Sequence, residues 1–148
     1  MIDGVEAIRA LAGEDLGTSS WSTITQEQVD QFAAATGDHQ WIHVDPERAK
    51  DGPFGGTIAH GYLSISLVPA LLREIIEVRG VAMALNYGIN KLRFPSPVPV
   101  GSRVRLSARL AEVEEVAGGV QVVLAVAIEV EGQSKPACVA EVVYRYFS

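Results

Sequence analysis

The chain has 148 residues, and its composition excludes several classes of protein before any motif is considered. Hydrophobic residues make up 48% of it and charged residues 20%, a balance typical of a folded globular domain rather than a disordered chain. The formal net charge is −6, from 12 basic and 18 acidic residues, which argues against nucleic acid as the main partner. We predict a single domain over residues 1–148.

The single cysteine and the first residues predict a soluble cytoplasmic protein. Because Cys138 is alone, neither an intrachain disulfide nor a cysteine zinc site can form. The start, MIDGVEAIRALAGEDLG, carries acidic residues early and lacks the basic segment of a signal peptide. The most apolar helical stretch, 61–78, contains two Ser, a Pro, an Arg and two Glu, so we expect a buried helix and no membrane span.

The first part of the chain contains two predicted helices. A short helix is expected over residues 3–12, where apolar side chains fall on one side. A second is expected over 25–36, because Thr25 and Gln28 match a capping box and apolar residues follow at helical spacing. Gly37 is expected to end this second helix.

The middle of the chain predicts one further helical turn and one long helix. The turn is DPERAK, with Asp45 as its N-cap. After the glycine-rich loop GPFGGTIAHG, a helix is expected over 61–78 and is closed by Gly80. It is apolar on nearly every side, which predicts complete burial, and Pro69 should bend it or mark a turn.

Beyond residue 80 the hydrophobic period changes from that of a helix to that of a strand. RVRLSARL alternates strictly between polar and apolar residues, and VQVVLAVAIEVEG and ACVAEVVYRYF are two more long strands. VAMALNYGINKLRF is expected to form strands broken near Gly88. The economical packing is α+β, a curved antiparallel sheet wrapped around the long helix.

The segment ATGDHQWIH places Asp38 and His43 five residues apart. On a continuous helix their side chains would diverge by about 140°, so they converge only if the chain turns between them. A carboxylate beside an imidazole is a workable acid–base pair, because imidazole titrates near neutral pH. The alternative is that Asp38 caps a turn and His43 is a partly buried loop residue.

A metal site is a second alternative for the same segment. His39 and His43 form an H-x-x-x-H pair that could ligate zinc on a helix, with a third ligand from Asp38, Asp45 or His60. The expected turn breaks the helical spacing that such a pair requires, so no metal is predicted.

His60 and Gly61 stand at the beginning of the predicted long helix. First-turn backbone N–H groups lack partners within their helix and can stabilise a developing oxyanion. A glycine at 61 lets a substrate carbonyl approach the backbone closely. The alternative is that the glycines only relieve crowding, and that His60 is a structural hydrogen-bonding residue.

Together these segments resemble one known family. FAAATGDHQWIHVDPERA is similar to the signature of the MaoC-like dehydratases, the (R)-specific enoyl-CoA hydratases or hydratase 2. That pattern is an aromatic residue, a spacer, Gly or Ser, Asp, usually x-Asn-Pro, an apolar residue, His and, further on, Ala. It is matched by Phe32, Gly37, Asp38, Ile42, His43 and Ala49. GPFGGTIAHGYL and NYGINKLRFPSPVPVGSRV resemble two further blocks of the family, so the resemblance runs from residue 20 or so to the C-terminus.

The chain departs from the family pattern at three positions. Gln40 and Trp41 stand where the family usually has Asn-Pro, a variant similar to the nodulation-protein-N-like branch. Trp41 is expected to add bulk near the site. Pro69 stands where the family often has a Ser.

The resemblance implies a hot-dog fold, a homodimer, and an acyl-CoA thioester bound in a tunnel beside the subunit interface. It implies Asp38 and His43 as the catalytic pair and the Gly61 N–H as the oxyanion donor. The implied reaction is reversible hydration of trans-2-enoyl-CoA to (R)-3-hydroxyacyl-CoA, a step of fatty acid metabolism. No cofactor is expected, because coenzyme A is part of the substrate. Further candidate substrate-binding residues are Gln40, Trp41, His60, Tyr62, Asn86, Lys91 and Arg93.

Two other functions stay open at this point. Hot-dog folds also host thioesterases, which would release a free thiol. A non-catalytic acyl-CoA-binding protein would keep the tunnel without turnover.

Overall fold

The computed structural model describes all 148 residues, and its main sheet is antiparallel. The helices are α1 (Gly4–Arg9), α2 (Gln26–Thr36), α3 (Trp41–Val44), α4 (Pro46–Ala49), α5 (Gly61–Ser66) and α6 (Val68–Ile75). The strands are β1 (Ile2–Asp3), β2 (Asp15–Thr18), β3 (Ser22–Thr23), β4 (Val78–Arg79), β5 (Met83–Arg93), β6 (Arg103–Val116), β7 (Gly119–Val130) and β8 (Cys138–Phe147). No helix is long and apolar enough to cross a bilayer.

Six strands form the main sheet in the order β2-β6-β7-β8-β5, and β3 also pairs with β6. The three long strands β6, β7 and β8 lie where the alternating pattern predicted them, and β6 extends beyond the predicted segment to Val116. A separate parallel pair, β1 with β4, was not predicted. Helices α5 and α6 pack on strands of the main sheet, so the α+β expectation is confirmed.

The hydrophobic core lies between the sheet and these helices. Alternate residues of β6 and β7 are buried, as period-2 alternation requires when one face of a sheet is covered. Leu106, Leu124 and Ile128 are almost completely buried, and Leu63, Val68, Leu71 and Leu72 approach them from the helices. This arrangement fixes the beginning of α5, where the candidate site lies.

Strand β5 differs from its prediction. It is one strand rather than several broken near Gly88, and two register shifts interrupt its pairing with β8. The shifts leave Tyr87 and Asn90 without paired partners, which is the geometry of β-bulges. The strand forms an edge of the sheet, and nearly all of its residues are exposed.

The first helices follow the sequence closely. Thr25 caps α2 by accepting a hydrogen bond from the Gln28 N–H, and Gly37 ends the helix at φ 83° in the left-handed region. Asp45 caps α4 through the Arg48 N–H. The first helix is shorter than the expected 3–12, because only Gly4–Arg9 is helical.

The predicted long helix is wrong in length and burial. It is broken at Leu67 into α5 and α6, beside Pro69, whose ring nitrogen cannot donate a helical hydrogen bond. The chain leaves the helix after Ile75 to form β4, so Gly80 is not a helix cap. The helix is not buried all round, since several apolar residues of α5 and α6 are only half-buried.

Candidate active site

The structure brings Asp38 and His43 together. After α2 ends at Gly37 the chain runs in non-helical conformation to residue 40, and α3 then turns His43 back. The Asp38 carboxylate, a His43 ring nitrogen and a His60 ring nitrogen lie within 4.8 Å of one another. The carboxylate is exposed while both imidazole rings are buried. An exposed acid beside a buried base forms a site open on one side.

The tautomer of His43 is fixed by the backbone. Its Nδ1 lies 2.7 Å from the Ile58 carbonyl oxygen. Because a carbonyl only accepts hydrogen bonds, Nδ1 carries the proton in the neutral ring and Nε2 keeps its lone pair. His43 is therefore oriented to act as a base through Nε2.

A network around Gln26 holds the His43 turn in place. The Gln26 side-chain amide donates to the His43 carbonyl at 2.7 Å, and its oxygen accepts from the Thr57 hydroxyl at 2.6 Å. The Ile58 N–H donates to the Ile42 carbonyl at 3.0 Å. Sequence reasoning missed Gln26, Thr57 and Ile58, since no local pattern indicates contacts between segments so far apart in the chain.

His60 lies behind the acid–base pair rather than in the open part of the site. Only 2% of its surface is exposed, and its Nε2–H donates to the Asp38 carbonyl at 2.9 Å. Its ring stacks on His43, with ring centroids 3.9 Å apart and planes inclined by 24°. Phe32 contacts its ring at a centroid distance of 4.9 Å. This burial favours a supporting position behind the pair, and a direct role in substrate binding stays a prediction.

Gly61 begins α5, and no side chain caps this helix. Its N–H is one of the first-turn amides that lack an intrahelical acceptor. A Cβ at this position would lie 2.9 Å from two ring carbons of Phe94, so any larger residue would have to displace that ring. Because α5 has only six residues, the individual amide rather than a long-helix dipole is the relevant donor.

The variant residues Gln40 and Trp41 have different surroundings. Gln40 is exposed, and its backbone N–H approaches Asp38 Oδ1 at 3.4 Å. The Trp41 ring lies under the Arg48 guanidinium at 4.3 Å and against Gly52. These contacts place the indole on the α4 side, so they do not support the expectation that Trp41 adds bulk near the site.

The remaining candidates are spread over the surface. Tyr62 is exposed and meets the Phe94 ring edge-on. Lys91 pairs with Glu141 at 3.4 Å, and Arg93 donates to the carbonyl of the residue before it. Lys91 and Arg93 line a hollow of about 530 Å³ on the sheet, with no direct contact to the acid–base pair.

Two hollows lie between the helices and β5, with volumes of about 410 and 280 Å³. Both are bordered by Pro69, Asn86 and Tyr144, so they adjoin along the bent helix. Most of the lining residues are apolar. Asn86 is the one candidate substrate-binding residue that lies here.

The structure groups a different set of possible metal ligands from the one that the sequence suggested. The three side chains that approach one another are Asp38, His43 and His60, while His39 is exposed and outside the group. Zinc is ligated by lone pairs in the plane of each imidazole. Because the His43 and His60 rings lie nearly face to face, their in-plane lone pairs run side by side rather than converging on one ion.

The similarity of this chain to known proteins identifies its family. The family model described as "MaoC like domain" matches residues 8–132. The chain therefore belongs to the MaoC-like family, and the resemblance noted in the sequence is confirmed. This membership supports an enzyme of the hydro-lyase class.

Individual relatives are similar along nearly the whole chain. The 3-hydroxyacyl-thioester dehydratase Z of Mycobacterium tuberculosis is 57% identical over 145 residues, which cover 97% of this chain and 96% of that protein. Nodulation protein N of Rhizobium leguminosarum bv. viciae is 46% identical over 131 residues, covering 86% and 81%. The solved (R)-hydratase from A. caviae aligns with a TM-score of 0.74 at 26% identity, covering 90% and 94%. The fold is thus the predicted hot-dog fold.

Proposed function

We propose that this protein is an (R)-specific enoyl-CoA hydratase. It adds water reversibly across the C2=C3 bond of a trans-2-enoyl-CoA to give (R)-3-hydroxyacyl-CoA. The observation that carries the proposal is the approach of the Asp38 carboxylate to the His43 ring, with Gly61 following the neighbouring His60 in the chain. The relatives named as a thioester dehydratase and an (R)-hydratase support the same reaction class.

The chemistry requires one base, one acid and one oxyanion donor. In hydration, His43 Nε2 takes a proton from water as the oxygen bonds to C3. Asp38 orients that water, then accepts this proton from His43 and supplies it to C2, so both side chains return to their starting states, and in dehydration the transfers reverse. The thioester oxygen gains negative charge as an enolate forms, and the Gly61 N–H stabilises it. This scheme requires no cofactor, and the absence of one stays a prediction.

We propose that the acyl chain lies along the two hollows beside Pro69. The larger one is bordered by Ile65 and Ser66 of α5, the helix that starts at Gly61, and the lining of both is mostly apolar. Burying apolar surface there stabilises the bound chain by about 25 cal/mol for each Å² removed from water. Asn86 then contacts the acyl chain rather than the coenzyme. Lys91 and Arg93 are left as candidates for the phosphates of coenzyme A.

We also propose a homodimer formed through the free edge of β5. An unpaired edge strand offers backbone N–H and C=O groups to a second copy. The exposed apolar residues of this strand are Met83, Leu85, Tyr87 and Ile89. A Leu85→Glu variant should be monomeric in light scattering and Leu85→Met should stay dimeric. A monomeric wild type would contradict the proposed dimer but would leave the proposed hydration reaction unaffected.

A cytoplasmic location stays a prediction.

The decisive experiment is turnover of crotonyl-CoA and of a longer enoyl-CoA, followed by loss of the enoyl absorbance and chiral analysis of the product. Asp38→Asn and His43→Gln should each lower kcat by about 10²–10⁴-fold, the range for loss of general acid–base catalysis. No turnover of either substrate, or unchanged turnover in both variants, would contradict the proposal. Ligand-induced thermal stabilisation without turnover would indicate a non-catalytic acyl-CoA-binding protein.

A thiol reagent distinguishes the thioesterase alternative, because only hydrolysis releases free coenzyme A. The protein itself gives little background in this assay. Cys138 is fully buried, and burial raises the pKa of its thiol to about 11. Since the thiolate is the reactive form, the native protein should not react at neutral pH. Thiol release with acyl-CoA would therefore favour a thioesterase.

A further inference from the structure

We propose that His60 is a positioning residue that joins the two members of the acid–base pair. Its Nε2–H holds the Asp38 backbone, and its ring face holds the His43 ring. The inference rests on the proposed function, because it assigns His60 a part in the same reaction. His60 does not touch the substrate, since its side chain is almost completely buried.

The hydrogen bonding of His60 is unusual. Because Nε2 donates to a carbonyl, Nδ1 of the neutral ring is an acceptor, and this nitrogen is buried without a hydrogen-bond partner. Buried polar atoms are nearly always paired, so the unpaired nitrogen is destabilising. An amide side chain could supply the donor, and a phenyl ring could supply the flat face without an unpaired atom. Only an imidazole of this size supplies both together.

Each member of the acid–base pair needs the support of His60. One hydrogen bond at Nδ1 fixes one end of the His43 ring but leaves its tilt free. The stacked His60 ring removes that freedom and aims Nε2. The Asp38 carboxylate is exposed, and the hydrogen bond that it accepts is the 3.4 Å approach of the Gln40 N–H. The carboxylate position therefore depends on the Asp38 backbone, which His60 holds.

When His43 accepts a proton it becomes a cation, and its ring lies against the face of the His60 ring. Such a face stabilises a cation electrostatically. The two rings have different tautomers. His43 carries its proton at Nδ1 and His60 at Nε2, because each of these nitrogens donates to a different backbone carbonyl.

Two variants separate the two contacts. His60→Gln keeps an N–H donor but loses the ring, and His60→Phe keeps a ring but loses the donor. We expect kcat for enoyl-CoA hydration to fall by about 10- to 100-fold in both, because small misplacements of reacting groups have effects of this size. KM should change much less than kcat, because neither change touches the substrate. Ile128→Val, a mild change in the buried sheet core, controls for lost stability and should keep kcat unchanged.

Imidazole ¹⁵N spectra give a readout that does not depend on turnover. In the wild type they should show His43 protonated at Nδ1 and His60 at Nε2. His60→Gln should disturb the His43 ring signals most, and His60→Phe the backbone amide signals around Asp38. If the wild type proves inactive, the proposed function fails, while these spectra still decide the role of His60.

Three results would overturn the inference. The first is a different His60 tautomer in the wild type, which can be measured even if both variants fail to fold. The second is wild-type kcat in both folded variants. The third is a loss of activity that matches only the fraction of unfolded protein, with unchanged His43 and Asp38 signals in the folded fraction.

Discussion

The sheet strands β6 to β8 and the segment from residue 37 to 61 are held by different kinds of interaction. In the sheet, long registers of backbone hydrogen bonds repeat, and every second side chain enters the core. In the segment, the only helices are single turns of four residues, and a few side-chain-to-backbone bonds fix the chain. The sheet therefore contains most of the repeated stabilising contacts, and the segment contains the candidate site, where single contacts decide the geometry.

The largest expected effect on stability comes from breaking the sheet side of this comparison. Leu106 on β6 is fully buried, so Leu106→Ala should lower the free energy of unfolding by about 2–5 kcal/mol through lost burial and a cavity. Urea denaturation measures this loss. The kcat of the folded protein should be unchanged, and a fall comparable with that of the His60 variants would erase the distinction between the two regions.

The next largest effect is expected in the segment from residue 37 to 61, which Gln26 holds in place. Gln26→Ala leaves the His43 carbonyl and the Thr57 hydroxyl without their partner, which should cost about 1–3 kcal/mol. It should also lower kcat, because the turn that carries His43 loosens. Gln28→Ala on the same helix is the matched control. Gln28 donates a hydrogen bond only through its backbone N–H, which the substitution keeps. Equal kcat in these two variants would show that the network is not needed for catalysis.

A smaller stability effect is expected at Gly61. Gly61→Ala forces the Phe94 ring to move, but that ring is 41% exposed and can swing outwards, so we expect a loss of about 1 kcal/mol. The fall in kcat should be larger than this loss of stability explains, because the contact of the new Cβ with the Phe94 ring also shifts the backbone N–H at position 61. The double variant Gly61→Ala/Phe94→Leu should recover stability in thermal unfolding. No recovery would mean that Phe94 is not the source of the strain.

The smallest effect is the response of the sheet-side ion pairs to acid. Hydrogen bonds from Arg9 and Arg103 hold the pKa values of Glu115 and Glu131 below the usual value of 4.5. A carboxyl whose pKa is lower in the folded state stabilises the fold above its unfolded pKa and loses that effect as the pH falls through its folded pKa. Thermal unfolding should therefore shift slightly downwards below pH 4.5. Glu131→Gln should reduce the shift, and an unchanged shift would remove this pair from the explanation.

The sequence predicted those features that depend on neighbouring residues. The cap of α2 at Thr25 and its end at Gly37 were predicted correctly, because both depend on bonds within one turn of the chain. The strands β6 to β8 were predicted because alternate residues record which face is buried. The pair β1 and β4 was missed, since two-residue strands have no period and their partners are far apart in the chain.

The site was predicted in part for the same reason. Asp38 and His43 stand in a local pattern that indicates an acid–base pair, and Gly61 stands in another. The support of the pair by Gln26 and His60 depends on contacts across 17 and 22 residues, which no local pattern contains. The expected end at Gly80 failed because the chain pairs as β4 after α6, a tertiary choice that overrides the helical signal.

By itself the sequence determined the fold class, the family and the residue types of the candidate site. Burial periodicity and short motifs depend only on residues that are close together in the chain. Only the tertiary structure decided that His43 presents Nε2, since a carbonyl from another segment holds Nδ1. It likewise turned His60 from a candidate contact of the substrate into the buried partner of both Asp38 and His43. Tautomers and ring stacking depend on which atoms meet in space, and the order of residues along the chain does not specify that.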